Sequence, residues 1–142
     1  MIVDRGLEVL SEDDSARLLA AGVVGRIGVT VGALPAIFPV NYRVVDGVIL
    51  FRTTRESTVA AAAHGAVVAF EVDDYELMDR SGWSVLAVGQ AEVIDDDASL
   101  PTLPGPRSMV DGERSALVRI VPTFLTGRRI AHQSGTVAPL GS

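Results

Sequence analysis

Two arginines flank a run of hydroxyls in Arg52-Thr53-Thr54-Arg55-Glu56-Ser57-Thr58. Guanidinium groups and hydroxyls at this density suit an anionic group such as a phosphate, which they hold by charge-assisted hydrogen bonds. A second arginine pair, Arg128-Arg129, reads either as a solvated or ion-paired couple or as a phosphate clamp. Asn41, the only asparagine, stands either as a strand-end hydrogen bonder or as an amide presented to a ligand. His64 reads as a surface residue that offsets a helix dipole, not as a catalyst. Asp95-Asp96-Asp97 lacks the alternating spacing and closing glutamate of a calcium loop, so it reads as a solvated strand end or helix cap. Gly22, Gly25 and Gly28 have neither the spacing nor the following helix of a dinucleotide fingerprint; they read as bends or close approaches in a barrel strand. No Gly-x-Ser-x-Gly elbow is present, and Gly82-Trp83-Ser84 opens a strand, which sets a serine hydrolase aside.

Composition removes further chemistries. The chain has 142 residues, room for one domain with a real core, expected to span 1–142. Cysteine is absent, so disulfides, thiolate metal sites and thiol nucleophiles are excluded. Lysine is absent too, which excludes a Schiff base or a P-loop lysine. The net charge of −6 and the lack of a basic, aromatic-studded face argue against nucleic acid. No window approaches the roughly 18 apolar residues of a membrane span, and no basic segment leads a hydrophobic run at the N-terminus. A cytoplasmic location is expected. The 48% hydrophobic content then needs a home, and a homodimer interface is the plain candidate.

These residues must be held by strands. Ala36 to Val44 and Val48 to Phe51 read as two strands joined by Asp46-Gly47, the strongest short hairpin signal. The second runs straight into the Arg52–Thr58 stretch and a short alanine-rich helix from Ser57 to about His64, ended by Gly65. A strand end meeting a helix start is where backbone N–H groups and the helix dipole favour an anion. Upstream, Ser11 caps a first helix that ends at Gly22, and Val23 to Val31 is a strand. Pro39 inside a strand pattern predicts an edge or a bulge. Ala66 to Val72 and Trp83 to Ile94 are further strands, with Gly89 as a bulge and Asp73 to Arg80 as a polar connection. Pro101 to Gly112 reads as a loop, Ala116 to Pro122 as the sixth strand, and the chain from His132 as a loosely held tail. The sum is a mostly β protein: a six-stranded antiparallel barrel with short helices.

The ordered motifs resemble those of the pyridoxamine 5′-phosphate oxidase-like family, with its flavin-binding split β-barrel, in its small actinobacterial form. They are Pro39-Val40-Asn41-Tyr42, Phe51-Arg52-Thr53, Ala69-Phe70-Glu71-Val72-Asp73, Gly82-Trp83-Ser84-Val85, Val118-Arg119-Ile120-Val121-Pro122 and Thr126-Gly127-Arg128-Arg129-Ile130, and they extend from about Val24 to Ile130. The resemblance implies a homodimer that binds FMN, or the deazaflavin F420, between its subunits and oxidises or reduces a small molecule. A non-catalytic flavin or haem carrier or sensor of the same fold is the alternative. By the same resemblance Val40 and Asn41 border the flavin ring, and Phe51, Arg52 and Thr53 line the path to the phosphate. Ser57 and Thr58 hold the phosphate, and Trp83 lies near the same groove. Two positions depart from the family pattern: Glu56 stands for the usual glycine and Thr58 for the usual lysine. A lost phosphate-binding cation costs about 1.5–3 kcal/mol unless replaced. Arg52, Arg55 and, from the partner, Arg128 or Arg129 are the expected replacements. Tyr42 is the one weak candidate for an acid or base.

Overall fold

The computed structural model describes residues 2–3, 7–95 and 115–130. The proline-rich loop, Asp96, Asp97 and the tail from His132 lie outside the described residues. Eight strands and two helices follow one another as β1 (Ile2–Val3), β2 (Leu7–Val9), α1 (Glu12–Ala21), β3 (Val24–Val31), β4 (Leu34–Val45), β5 (Val48–Thr54), α2 (Thr58–Ala63), β6 (Val67–Glu76), β7 (Ser81–Asp95) and β8 (Ser115–Ile130). The sheet order is β1-β2-β8-β5-β4-β3-β6-β7, and β7 pairs again with β8. That second pairing closes the six long strands into an antiparallel barrel, as the sequence pattern predicts. The two short strands at the N-terminus were not foreseen; they add to the outer half of β8, where Leu7 to Val9 pair with Ile130 to Arg128.

Turn chemistry sets the registers. Asp46 and Gly47 both take positive φ, 50° and 78°, the signature of a type I′ turn whose twist matches the strands it joins. β7 and β8 slip register between Val88 and Gly89, at the expected bulge. A Cβ on Gly89 would lie 2.0 Å from the Val121 carbonyl oxygen, so only glycine lets the two backbones approach there. Gly25 serves a different approach: a Cβ there would lie 2.3 Å from the Phe70 ring.

The polar connection expected over residues 73–80 is mostly strand. β6 continues to Glu76, because each residue from Asp73 to Glu76 pairs with β7, ending at Glu76 opposite Ser81. Partner pairing here overrides low strand propensity. The turn is confined to residues 77–80.

The core fills the barrel. Ile27, Tyr42, Ile49, Phe51, Phe70, Val85, Val118 and Ile120 are buried inward-facing residues of successive strands. Leu19 of α1 and Val59 and Ala63 of α2 join them. α1 begins as expected, with the Ser11 hydroxyl accepting from the Asp14 N–H. At its other end the Tyr42 hydroxyl donates to the Leu19 carbonyl at 2.5 Å, which ties α1 to β4.

Candidate functional site

Pairing between β4 and β5 runs from Val45–Val48 to Tyr42–Phe51 and stops there. Beyond this point β4 continues to pair only with β3, through Asn41 to Leu34. β5 continues to pair only with β8, through Arg52 to Thr54. The barrel is therefore split, and the split opens at the residues that the sequence singles out. Asn41 and Val40 form one lip; Arg52 and Thr53 form the other. Pro39 lies on the β4 lip, an edge position as expected.

Side-chain alternation divides each lip. Tyr42 and Phe51 point into the barrel and are 2% and 0% exposed. Counting outward from them, Val40 and Thr53 share the inner side, while Asn41 and Arg52 share the outer side. Val40 is half-buried against the core and Asn41 is exposed. Arg52 and Thr53 are half-buried. The Phe51 ring is part of the core, so this residue offers the lip its backbone and not its side chain.

The corner after β5 is built differently from the expectation. Ser57 is the N-cap of α2, and its hydroxyl accepts from the Ala60 N–H at 3.0 Å. The same oxygen accepts from the Thr53 hydroxyl at 2.8 Å. The Ser57 N–H donates to the Thr54 carbonyl and the Ala61 N–H to the Ser57 carbonyl. The Ser57, Ala60 and Ala61 N–H groups are thus engaged within the chain, and α2, with six residues, adds little dipole. Arg55 pairs with Asp95, which neutralises its charge. Glu56 and Thr58 are exposed.

The remaining candidates lie elsewhere. Trp83 is on β7, separated from the β4 lip by β6 and β3. It packs on the core and lines a separate cavity of about 200 Å³ with Arg129, Asp74, Glu76, Ser81 and Gly82. Within one chain, neither Trp83 nor Arg129 reaches the split. His64 is the C-cap of α2, but its ring does not serve the helix end: Nδ1 accepts from the Val93 N–H at 3.1 Å. Burial pushes the Tyr42 hydroxyl up to about 12, and its donation to Leu19 commits it to the fold. No acid or base therefore stands on either lip among the described residues, nor does any group of His, Asp and Glu there form a metal cluster. No helix among them is long and apolar enough to cross a membrane.

The signal that sequence reasoning missed is the outer-face trio Arg26, Glu71 and Asp73. Arg26 lies opposite Glu71 across β3 and β6. Its Nη1 donates to Glu71 Oε1 at 3.2 Å and to Asp73 Oδ2 at 3.3 Å. The i, i+2 spacing of two acids in a strand was the available clue.

Comparison with known proteins places this geometry. A family model described as pyridoxamine 5′-phosphate oxidase matches residues 11–129. Rv0080, an uncharacterized protein of Mycobacterium tuberculosis, is 39% identical over 135 residues, covering 89% of this chain and 88% of its own. The FAD binding protein from Mycobacterium smegmatis superimposes with a TM-score of 0.68 at 33% identity, covering 87% of this chain and 97% of that one. The FAD and heme binding protein from the same organism shares the fold, with a TM-score of 0.70 at 18% identity, over 94% of this chain and 77% of that one. The split barrel, the ordered motifs and the matched span agree: this chain belongs to the pyridoxamine 5′-phosphate oxidase family.

Proposed function

We propose that this chain binds a flavin at the split between β4 and β5 and works, as a homodimer, as an oxidoreductase on a small molecule. The carrying observation is the divergence of the two strands at Tyr42–Phe51, which leaves Val40, Asn41, Arg52 and Thr53 along two backbones that no longer pair with each other. Such a cleft offers a planar ring an apolar contact, an amide, a hydroxyl and a guanidinium. The 33% identity to an FAD binding protein supports a flavin as the ring. When bound, a flavin or deazaflavin supplies hydride transfer through its central ring. The chain's own residues bind and orient it: Asn41 and Arg52 from the outer side, Val40 and Thr53 from the inner side. The lips are open in a single chain, so a second copy supplies the other wall and brings its Trp83 and Arg129 within the assembly.

The tail is the finer question. FMN ends in a phosphate dianion, which needs concentrated positive charge. With Arg55 paired to Asp95 and Thr58 in place of a lysine, the corner favours a phosphate that carries a single negative charge, as each does in the diphosphate of FAD or the phosphodiester of F420, over the terminal dianion of FMN. The alternative is a non-catalytic flavin or haem carrier or sensor of the same fold, and neither lip holds an acid or base among the described residues. Hydride chemistry confined to the cofactor needs none, so both readings accommodate it.

Fluorescence titration with FMN, FAD and F420 in parallel tests the proposal. Saturable binding of one of them is expected. Arg52→Ala should weaken it by about tenfold or more, the loss of a charge-assisted contact of about 1.5–3 kcal/mol. An unchanged dissociation constant would show that the tail lies elsewhere. Tight binding with no turnover under supplied reductant and acceptor would leave the carrier reading standing alone.

A further inference from the structure

Residues on the outside of β4, β3, β6 and β7 alternate with core residues along each strand. Gly28 lies between Ile37 on β4 and Ala69 on β6, and Leu86 lies opposite Glu71. Two small residues in mid-sheet leave a trough of about 390 Å³ between Ile37 and Leu86. Ile37 is 71% exposed and Val67, at the start of β6, is 72% exposed. An antiparallel sheet facing water is ordinarily polar on its outer face. This sector is apolar on both faces, which marks a surface that another molecule covers.

One end of the trough is charged. A single nitrogen of Arg26 serves both Glu71 and Asp73, which brings the two acids together on one cation. The positions facing the trio across the sheet are Pro39 on β4 and Leu86 and Ser84 on β7, none of which titrates. Arg26, Glu71 and Asp73 are therefore the charged groups to consider.

We propose that this face pairs with the same face of a second copy, and that the Arg26–Glu71–Asp73 cluster makes the pairing proton-dependent, tightest when Glu71 carries a proton. The inference rests on the homodimer reading and not on the identity of the cofactor. A two-fold interface has to be self-complementary. A flat apolar trough ending in a cluster that carries both signs meets that requirement, since each Arg26 can face the acids of its counterpart.

With Glu71 ionised, one cation faces two anions, and each cluster carries one net negative charge. Burying two such clusters together takes uncompensated charge out of water. With Glu71 protonated, each cluster is neutral. The surroundings lean that way: burial first, then the neighbouring Asp73 carboxyl, push the Glu71 carboxyl up to about 7, against the opposing pull of Arg26. Pairing removes more water and favours the proton further. The dimer then binds more protons than two separate chains, so its dissociation constant falls as pH falls through this range.

Sedimentation equilibrium on the full chain at pH about 6 and about 8.5 tests it. The wild-type dissociation constant should be at least about tenfold lower at the acid pH. Glu71→Gln should pair tightly at both pH values, with the difference abolished. Ile37→Arg, at an exposed position that leaves the core intact, should weaken pairing at both. Equal wild-type constants, or a shift that survives in Glu71→Gln, would overturn the proton dependence. Pairing untouched by Ile37→Arg would overturn the choice of face. A monomer at every pH would sink the dimer reading itself, and flavin titration of the same sample reports separately on the cofactor.

Discussion

Tyr42 shows how one residue can be legible in type and misread in role. A tyrosine beside the only asparagine invites a catalytic reading, and nothing local reveals that its hydroxyl lies under the last turn of α1. The contact joins residues 23 positions apart in sequence. Tyr42→Phe should lower stability by about 0.5–1.5 kcal/mol, the worth of one net hydrogen bond, with ligand binding unaffected. Its pH dependence has a definite sign. The free phenol releases its proton near 10.0 and the buried one only near 12. Across that window the folded chain keeps a proton that the unfolded chain has lost, so stability falls as pH rises through it. Alkaline denaturation curves of the wild type should show this loss, and those of Tyr42→Phe should lack its contribution. Arg55 is a parallel case. Its charge looked available in sequence because its partner, Asp95, stands 40 positions away on β7.

At the scale of elements, turns and caps were readable and pairing limits were not. Asp46-Gly47, the Ser11 cap and the Gly89 bulge are short-range signals, and each appears where its residue chemistry requires. The extension of β6 to Glu76 was hidden, because four polar residues read as a loop until a partner strand is present. So was the parting of β4 from β5 after Tyr42–Phe51, although Asn41 and the Arg52–Thr53 pair stand out by type and Val40 by the family resemblance. Ser57 illustrates the overlap of two roles. It was expected to hold a phosphate, and the structure makes it the cap of α2 and the acceptor of the Thr53 hydroxyl. Ser57→Ala should therefore cost about 1 kcal/mol of stability even without ligand. A melting temperature equal to the wild type would show that the hydroxyl caps nothing.

At the scale of the whole molecule, the barrel depends on one seam. β7 and β8 pair along nearly their full length and turn the sheet back on itself. Gly89 sits at the slip in that seam, against the Val121 backbone. Gly89→Ala should destabilise the protein by about 1–3 kcal/mol, because backbone cannot yield as a flexible side chain does. Chemical denaturation would measure it, and a neutral effect would mean that the seam relaxes freely. The unpaired stretch of β4 carries a last consequence. The Tyr42 N–H bonds back to Val23, so the even positions of this strand face β3 and the odd ones face away from it. Both Pro35 and Pro39 fall on odd positions. The rim is left rich in carbonyl acceptors and poor in donors, with two N–H groups withheld where a stray strand would need them. An extended peptide cannot zip onto this rim, so the cleft resists both self-closure and edge-to-edge aggregation.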